Sequence, residues 1–312
     1  MTSVLKMAEQ TSAPELRTDF YREISSNKRK SWLLAGLVFL VLFAMVYIFA
    51  QIYGMGFLAI GGILIIVYSL GTYFYGDKMV LSYTGARPVS ESNAKELQFK
   101  NVVENLAFAA RLPEPRAYVI QNEEMNAFAT GRDPQHSSIA ITTGLLTKLN
   151  RDELEGVVAH EMSHVGNYDI RFATVVAVMV GLVAILSDMF LRMNLYGVRG
   201  NRDNSRGGGL IMVLWIVGIL LAILSPFIVR IVQSAVSRKR ELLADASGAH
   251  LTRYPEGLAS ALEKIKNNNK GTMKVSEAVS HLFFTDPVKS SLDSLFATHP
   301  PIDERIKLLR AM

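Results

Sequence analysis

Glu155-Gly-Val-Val-Ala-His-Glu-Met-Ser-His-Val-Gly166 carries the pattern H-E-x-x-H, and its reading decides what the rest of the chain must build. On an α-helix, residues four apart lie on one face, one turn above the other. His160 and His164 can therefore close on a single zinc ion from one rigid element. Glu161 projects beside that ion, where a carboxylate can take a proton from a metal-activated water. The helix has its own signals: Asn150 suits the N-cap, and Glu153 three residues later completes a capping-box variant. Val157, Val158 and Ala159 supply apolar neighbours to bury. Five-letter patterns recur by chance, but this chain has only 6 histidines in 312 residues. Two of them at this spacing around a glutamate predict one zinc ion per chain.

Composition narrows the donors and the setting. There are no cysteines, so thiolate ligands and disulfides are excluded, and zinc must be held by His and carboxylate. Half the residues are hydrophobic and the mean hydropathy is positive, which is high for a soluble enzyme. The net charge is +5, with the basic residues gathered beside apolar runs. That distribution suits membrane topology and predicts no nucleic-acid partner.

Residues 1–30 read as a polar N-terminal segment ending in Asn27-Lys-Arg-Lys30. Trp32 to Ala50 and Phe57 to Phe74 are uncharged runs long enough to cross a bilayer, so residues 31–76 read as a transmembrane hairpin. Tyr73 and Tyr75 fit an interfacial belt at its edge. Residues 77–312 then form the catalytic domain, interrupted by an apolar hairpin over 172–229. Within it, Met79 to Thr84 reads as a strand and Ser92 to Arg111 as an amphipathic helix, with Leu97, Val102, Val103, Leu106 and Ala110 at helical spacing. Ala117–Ile120 and Ser138–Thr142 read as short strands flanking Asn126–Gly131. The second of these, Ser138, Ile139, Ala140, Ile141 and Thr142, precedes the metal helix. It is the expected edge for an extended peptide substrate, with Asn126 nearby. The fold class is thus mixed: a polytopic α-helical membrane protein bearing a mainly α, α+β zincin domain with a small sheet.

Positive charges at Lys28, Arg29, Lys30, Lys78, Arg87, Arg171, Arg230 and Arg238–Arg240 mark one side of the bilayer, which the positive-inside rule assigns to the cytosol. The loop from Arg192 to Arg206 carries four arginines and opposes that assignment if the runs around it cross. Asp188 interrupts the first of those runs, which reads as a full span, a partial insertion or a hairpin packed on the domain.

A third ligand is required. Asp169 lies five residues past His164, about 140° around a continuing helix, and so faces away from the metal. Glu241, in Ser237-Arg-Lys-Arg-Glu-Leu-Leu-Ala-Asp245, is the better candidate, for Asp245 shares its helix face. Asp245 can accept an N–H from a ligating imidazole and fix its tautomer. His250, about 180° from Glu241, is read as non-ligating. Asn267–Gly271 is read as a flexible linker loop. Near the C-terminus, His299 precedes two prolines and a final helix carrying Arg305. His299 is open to two readings, an oxyanion donor or a helix start, with Arg305 near the site.

His160-Glu-Met-Ser-His164, two apolar segments and Arg240-Glu-Leu-Leu-Ala-Asp245 resemble the HtpX branch of membrane zinc metallopeptidases, relatives of the CAAX prenyl endopeptidases. Asn126–Gly131, Thr142–Leu146 and Thr298-His-Pro-Pro-Ile302 through Arg305 match as well, so the resemblance covers nearly the whole chain. It implies a gluzincin-type endopeptidase, multi-pass in the bacterial inner membrane, facing the cytosol and serving membrane-protein quality control under stress. It implies His160, His164 and Glu241 as ligands and Glu161 as base.

Membrane proteins or peptides at the bilayer surface are the expected substrates, since only about eight residues, roughly 12 Å of helix, separate His164 from the next apolar run. Two rivals stand beside this reading. A CAAX-type processing enzyme would use the same chemistry but needs a chamber for a prenylated end. A non-enzymatic scaffold with a structural zinc has no use for Glu161.

Overall fold

A computed structural model of the chain describes residues 54–175, 238–273, 282–285 and 300–312, with scattered positions between 29 and 51 and residues 216 and 279. The expected apolar hairpin at 172–229, the arginine-bearing loop and His299 therefore lie almost wholly outside the described residues. Elements are numbered among the described residues.

The first is α1, Gly56–Tyr83, whose 28 residues span about 42 Å. Ile60, Ile63, Leu64, Ile66, Val67 and Leu70 on it are each more than half exposed. Only 11% of its most apolar window is buried, unlike the core helix of a globular domain. Val46, from the preceding apolar run, packs at Gly61, where a Cβ would lie 2.5 Å from Val46 Cγ1. The strand expected over Met79–Thr84 does not form. Met79 to Tyr83 are the end of α1 and Thr84 is its C-cap, and Val80 and Leu81 bury themselves against Ile120, Phe128 and Ala140. The β-propensity of this stretch gives way because, continued as helix, it places Val80 and Leu81 against the sheet. An ion pair from Arg116 to Asp77, and Arg132 donating to the Phe74 carbonyl with its guanidinium 5.4 Å from the Phe74 ring, root the helix in the domain.

A four-stranded mixed sheet follows, in the order β1-β2-β4-β3. The strands are β1 Arg87–Pro88, β2 Arg116–Ile120, β3 Ala127–Asp133 and β4 His136–Thr142. β2 runs parallel to β4, while β3 and β4 form an antiparallel hairpin with Phe128 opposite Ala140. The expected substrate edge is thereby corrected. Ser138–Thr142 is interior, bonded on one side to β2 and on the other to β3, so its backbone has no free edge. The edge belongs to β3, in a stretch first read as the connection between strands.

α2, Ala94–Ala110, packs Phe99, Val102, Val103 and Leu106 into the main core. Short α3, Thr143–Lys148, leads into α4, Arg151–Gly166, which carries the histidines. α5, Arg238–Thr252, and α6, Pro255–Asn268, lie against α4, and α7, Ile302–Leu309, closes the bundle. The expected linker at Asn267–Gly271 is partly helical and firmly held. Asn269 accepts from Met125 N–H and donates to its carbonyl, each at 2.8 Å.

Candidate metal centre

α4 is anchored at both ends before any metal chemistry is considered. Asn150 Oδ1 accepts Glu153 N–H at 2.9 Å, and Glu153 accepts Asn150 N–H at 2.8 Å, a full capping box. Glu153 is also bound by Lys264 and Ser260 of α6, at 2.8 and 2.9 Å. Burial pushes its carboxyl up in pKa, and these bonds more than offset that, holding it below the usual range. Two glycines then allow backbone to meet backbone. A Cβ on Gly156 would lie 2.7 Å from Leu258 N in α6, and one on Gly248 of α5 would lie 2.9 Å from His160 N.

That close approach sets α5 against the histidines. The ligand atoms of His160, His164 and Glu241 lie within 4.8 Å of one another. His160 Nε2 and His164 Nε2 are 3.1 Å apart, and each is 3.6 Å from a Glu241 carboxylate oxygen. Both Nδ1 atoms face carboxylates: Asp245 at 2.8 Å for His160 and Asp169 at 3.0 Å for His164. With each Nδ1–H donated, the two Nε2 lone pairs point at one another, an arrangement that wants a cation between them. Tetrahedral zinc with bonds near 2.0–2.1 Å needs donors about 3.3 Å apart; the two Nε2 atoms stand 3.1 Å apart, and each has its own Glu241 oxygen at 3.6 Å, Oε2 for His160 and Oε1 for His164. The donor set fits zinc.

Burial would lower the His160 pKa, but hydrogen bonds to Asp245 and Glu241 reverse this and raise it to about 9. Burial would likewise raise Asp245, yet the charge and hydrogen bonds of Arg305 bring it down to about 2. Arg305 is fully buried and grips Asp245 with two bonds, Nε to Oδ2 at 2.8 Å and Nη2 to Oδ1 at 2.7 Å. It also donates to the Phe284 carbonyl at 3.3 Å and lies over that ring.

A cavity opens in front of this triad, lined by Glu161, Asp169, Arg240, Ala129, Leu282 and Phe283 beside the three ligand side chains and Phe284. Glu161 is 2% exposed and sits on its wall. Arg305 does not: it lies behind Asp245, so the expected role near the reacting atoms becomes one of holding Asp245. Asn126 is likewise turned inward. Its side chain bonds Thr285 N–H and carbonyl and Ala127 N–H, so it clamps the 282–285 segment, and at 1% exposure it does not line the cavity. His250 is exposed on the far side of α5.

Asp169 is the plainest correction. α4 ends at Gly166, and Tyr168 takes a left-handed φ of 61°, which folds Asp169 back under His164 instead of carrying it around the helix. Gly166 beside Asn167 was the available sequence signal for that stop. Phe284, 4.8 Å edge-on to the His160 ring, had no such signal. It reaches the site through a backbone bond from its N–H to the Ala127 carbonyl, at 2.8 Å, on the edge of β3.

Comparison with known proteins gives the family. The profile of peptidase family M48 matches residues 93–312. A protease HtpX homolog of Caldanaerobacter subterraneus is 44% identical over 94% of this chain and 97% of its own length. Those of Dictyoglomus thermophilum and Streptococcus pneumoniae are each 42% identical over 94% of this chain and at least 95% of theirs. Among solved structures, S. mikatae Ste24p is similar at 22% identity with a TM-score of 0.49, covering 90% of this chain and 66% of that one. By profile and by identity along nearly its full length, the chain belongs to peptidase family M48 and groups with its HtpX proteases.

Proposed function

We propose that the chain is a membrane-bound zinc endopeptidase that hydrolyses misfolded or damaged membrane proteins at the cytosolic face of the bacterial inner membrane. The observation that carries this reading is the buried Glu161 on the wall of the cavity that His160, His164 and Glu241 share. A structural metal site has no need of a further, non-ligating carboxylate there.

His160 and His164, through Nε2, and Glu241, through its carboxylate, would hold the metal. Zinc, when bound, polarises the scissile carbonyl and lowers the pKa of a water. Glu161 accepts the proton from the attacking water and delivers it to the leaving amine nitrogen. Leu282, Phe283 and Phe284 wall the cavity against bulk water. The β3 edge is closed at Ala127 by Phe284 N–H and at Gly131 by Thr174 Oγ1, 3.1 Å away. Ala129, between them, lines the cavity, and there an extended substrate backbone can pair with β3.

The membrane setting rests on α1. Its exposed apolar surface is long enough to cross a bilayer, and the 31–76 hairpin is favoured by the Val46–Gly61 approach. Because Arg132, at the end of β3, docks on Phe74 among the aromatic residues of α1, the substrate edge lies close to the bilayer surface. Membrane proteins and their cytosolic loops are the substrates this placement favours.

The test is cleavage of a model membrane protein by detergent-purified, zinc-loaded protein, comparing wild type with Glu161→Gln. The variant is expected to keep its zinc and lose on the order of 10²-fold or more in rate, the scale of general-base catalysis. Equal cleavage by both would overturn the assignment.

A further inference from the structure

We propose that Asp169, backed by Arg240, is a positioning residue that fixes the tautomer and ring orientation of His164 for metal binding. The inference rests on the metal-centre reading above and adds a residue pair to it. A free imidazole can offer either nitrogen to a metal, and a carboxylate on one nitrogen decides that the other is the donor. Asp169 Oδ2 stands 3.0 Å from His164 Nδ1, which leaves Nε2 facing the cavity. The other carboxylate oxygen, Oδ1, is 3.4 Å from Arg240 Nη1.

Arg240 is itself held in place. Its guanidinium lies 5.0 Å from the Phe172 ring centroid, and its side chain is 11% exposed. Asp169 and Phe172 come just before residues 176–237, and Arg240 comes just after them. One small clasp therefore joins the two chain ends that flank this long apolar stretch and passes its hold to His164. Asp169 is only 4% exposed, so its charge has been moved out of water, and the imidazole N–H and the guanidinium are among the groups that compensate it.

The experiment is chelator-competition titration of zinc on the full-length protein in detergent, with the visible spectrum of the Co²⁺-loaded form. Wild type, Asp169→Ala, Asp169→Asn and Glu241→Ala are compared. Asp169→Ala is expected to weaken zinc binding about 10- to 100-fold, the usual effect of losing such an outer partner, and to alter the Co²⁺ bands. Asp169→Asn, whose carbonyl oxygen can still accept the Nδ1–H, is expected to recover part of the loss. Both variants should keep the melting temperature of the metal-free wild type.

Wild-type affinity in Asp169→Ala, with binding lost in Glu241→Ala, would overturn the role of Asp169 and leave the metal centre standing. Wild-type affinity in Glu241→Ala would sink the metal-centre reading itself. A loss in both Asp169 variants that merely follows an equal fall in metal-free melting temperature would also overturn the positioning role, since the effect would then be on folding.

Discussion

The two histidines of the metal centre are held by similar chemistry in unlike surroundings. Behind His160 stand Asp245 and Arg305, joined by two bonds of 2.7 and 2.8 Å, and all three side chains are at most 3% exposed. Behind His164 stand Asp169 and Arg240, joined at 3.4 Å, with the histidine 16% and the arginine 11% exposed. The first arm links α4, α5 and α7 through the middle of the domain, so it belongs to the fold as much as to the site. The second sits at the cavity wall, where α4 ends and α5 begins. A fully paired buried network rigidifies what it touches, whereas a partly open one leaves room to adjust. One imidazole is thus fixed by the core and its neighbour by a clasp at the cavity.

If this contrast is right, Asp245→Ala will produce the largest effect. It strands the Arg305 guanidinium, fully buried, without its carboxylate, and breaking such a pair costs about 3–5 kcal/mol. Denaturant titration of the metal-free protein should show that loss, and the double variant Asp245→Ala/Arg305→Met should recover part of it by removing the stranded charge. Asp169→Ala should fall well short of it. Equal destabilisation by the two single variants would erase the distinction between the arms.

Gly248→Ala probes the same contrast from the backbone. The new Cβ would press within 2.9 Å of His160 N, and a backbone atom cannot swing aside as a side-chain end can. α5 must shift, carrying Glu241 and Asp245 away from His160. Overpacking of this kind costs about 1–3 kcal/mol. Stability and zinc affinity should therefore fall together, measured by thermal melting and chelator competition. A stable variant with wild-type affinity would mean that the helix contact does not set the ligand geometry.

The sequence made some of this legible and hid the rest for physical reasons. The His160, His164, Glu241 and Asp245 group could be read because each pair is four apart on a regular helix, where spacing converts directly into direction. Asp169 was misread by the same rule, applied one turn past the point where the helix stops. Met79–Thr84 looked like a strand because six residues of mixed apolar character cannot reveal that they end a 28-residue helix. β2 and β4 were visible, but β3, β1 and the order of the strands were not. β4 carries an apolar run because it is an interior strand, and that is also why it cannot be the free edge. Phe284 and Arg305 reach His160 from more than 120 positions away, through contacts that no local pattern encodes.

The smallest effect to seek is a pH slope belonging to the closed arm. In the metal-free protein, Asp245 and Glu241 raise the His160 pKa from 6.5 to about 9. A raised pKa means that the proton stabilises the fold fully below about pH 6.5, the unfolded value, and that this contribution fades as pH climbs through about 9. Asp245, lowered from 3.8 to about 2, works the other way: its contribution is present above about pH 3.8 and is lost as pH falls through about 2. Metal-free stability should therefore be greatest between those limits, roughly pH 4 to 6.5. Zinc needs His160 without that proton, so loading must expel it. Affinity should then rise with pH up to about 9 by as much as tenfold per unit, about 1.4 kcal/mol, through this group. Asp245→Asn, which withdraws the charge that holds the proton, should flatten the slope contributed by His160, while Asp169→Asn should leave it in place. Proton release measured on zinc loading at pH 7 and pH 10 separates the cases: a release that does not fall at the higher pH would mean that His160 is already neutral, and that its arm is held by geometry alone.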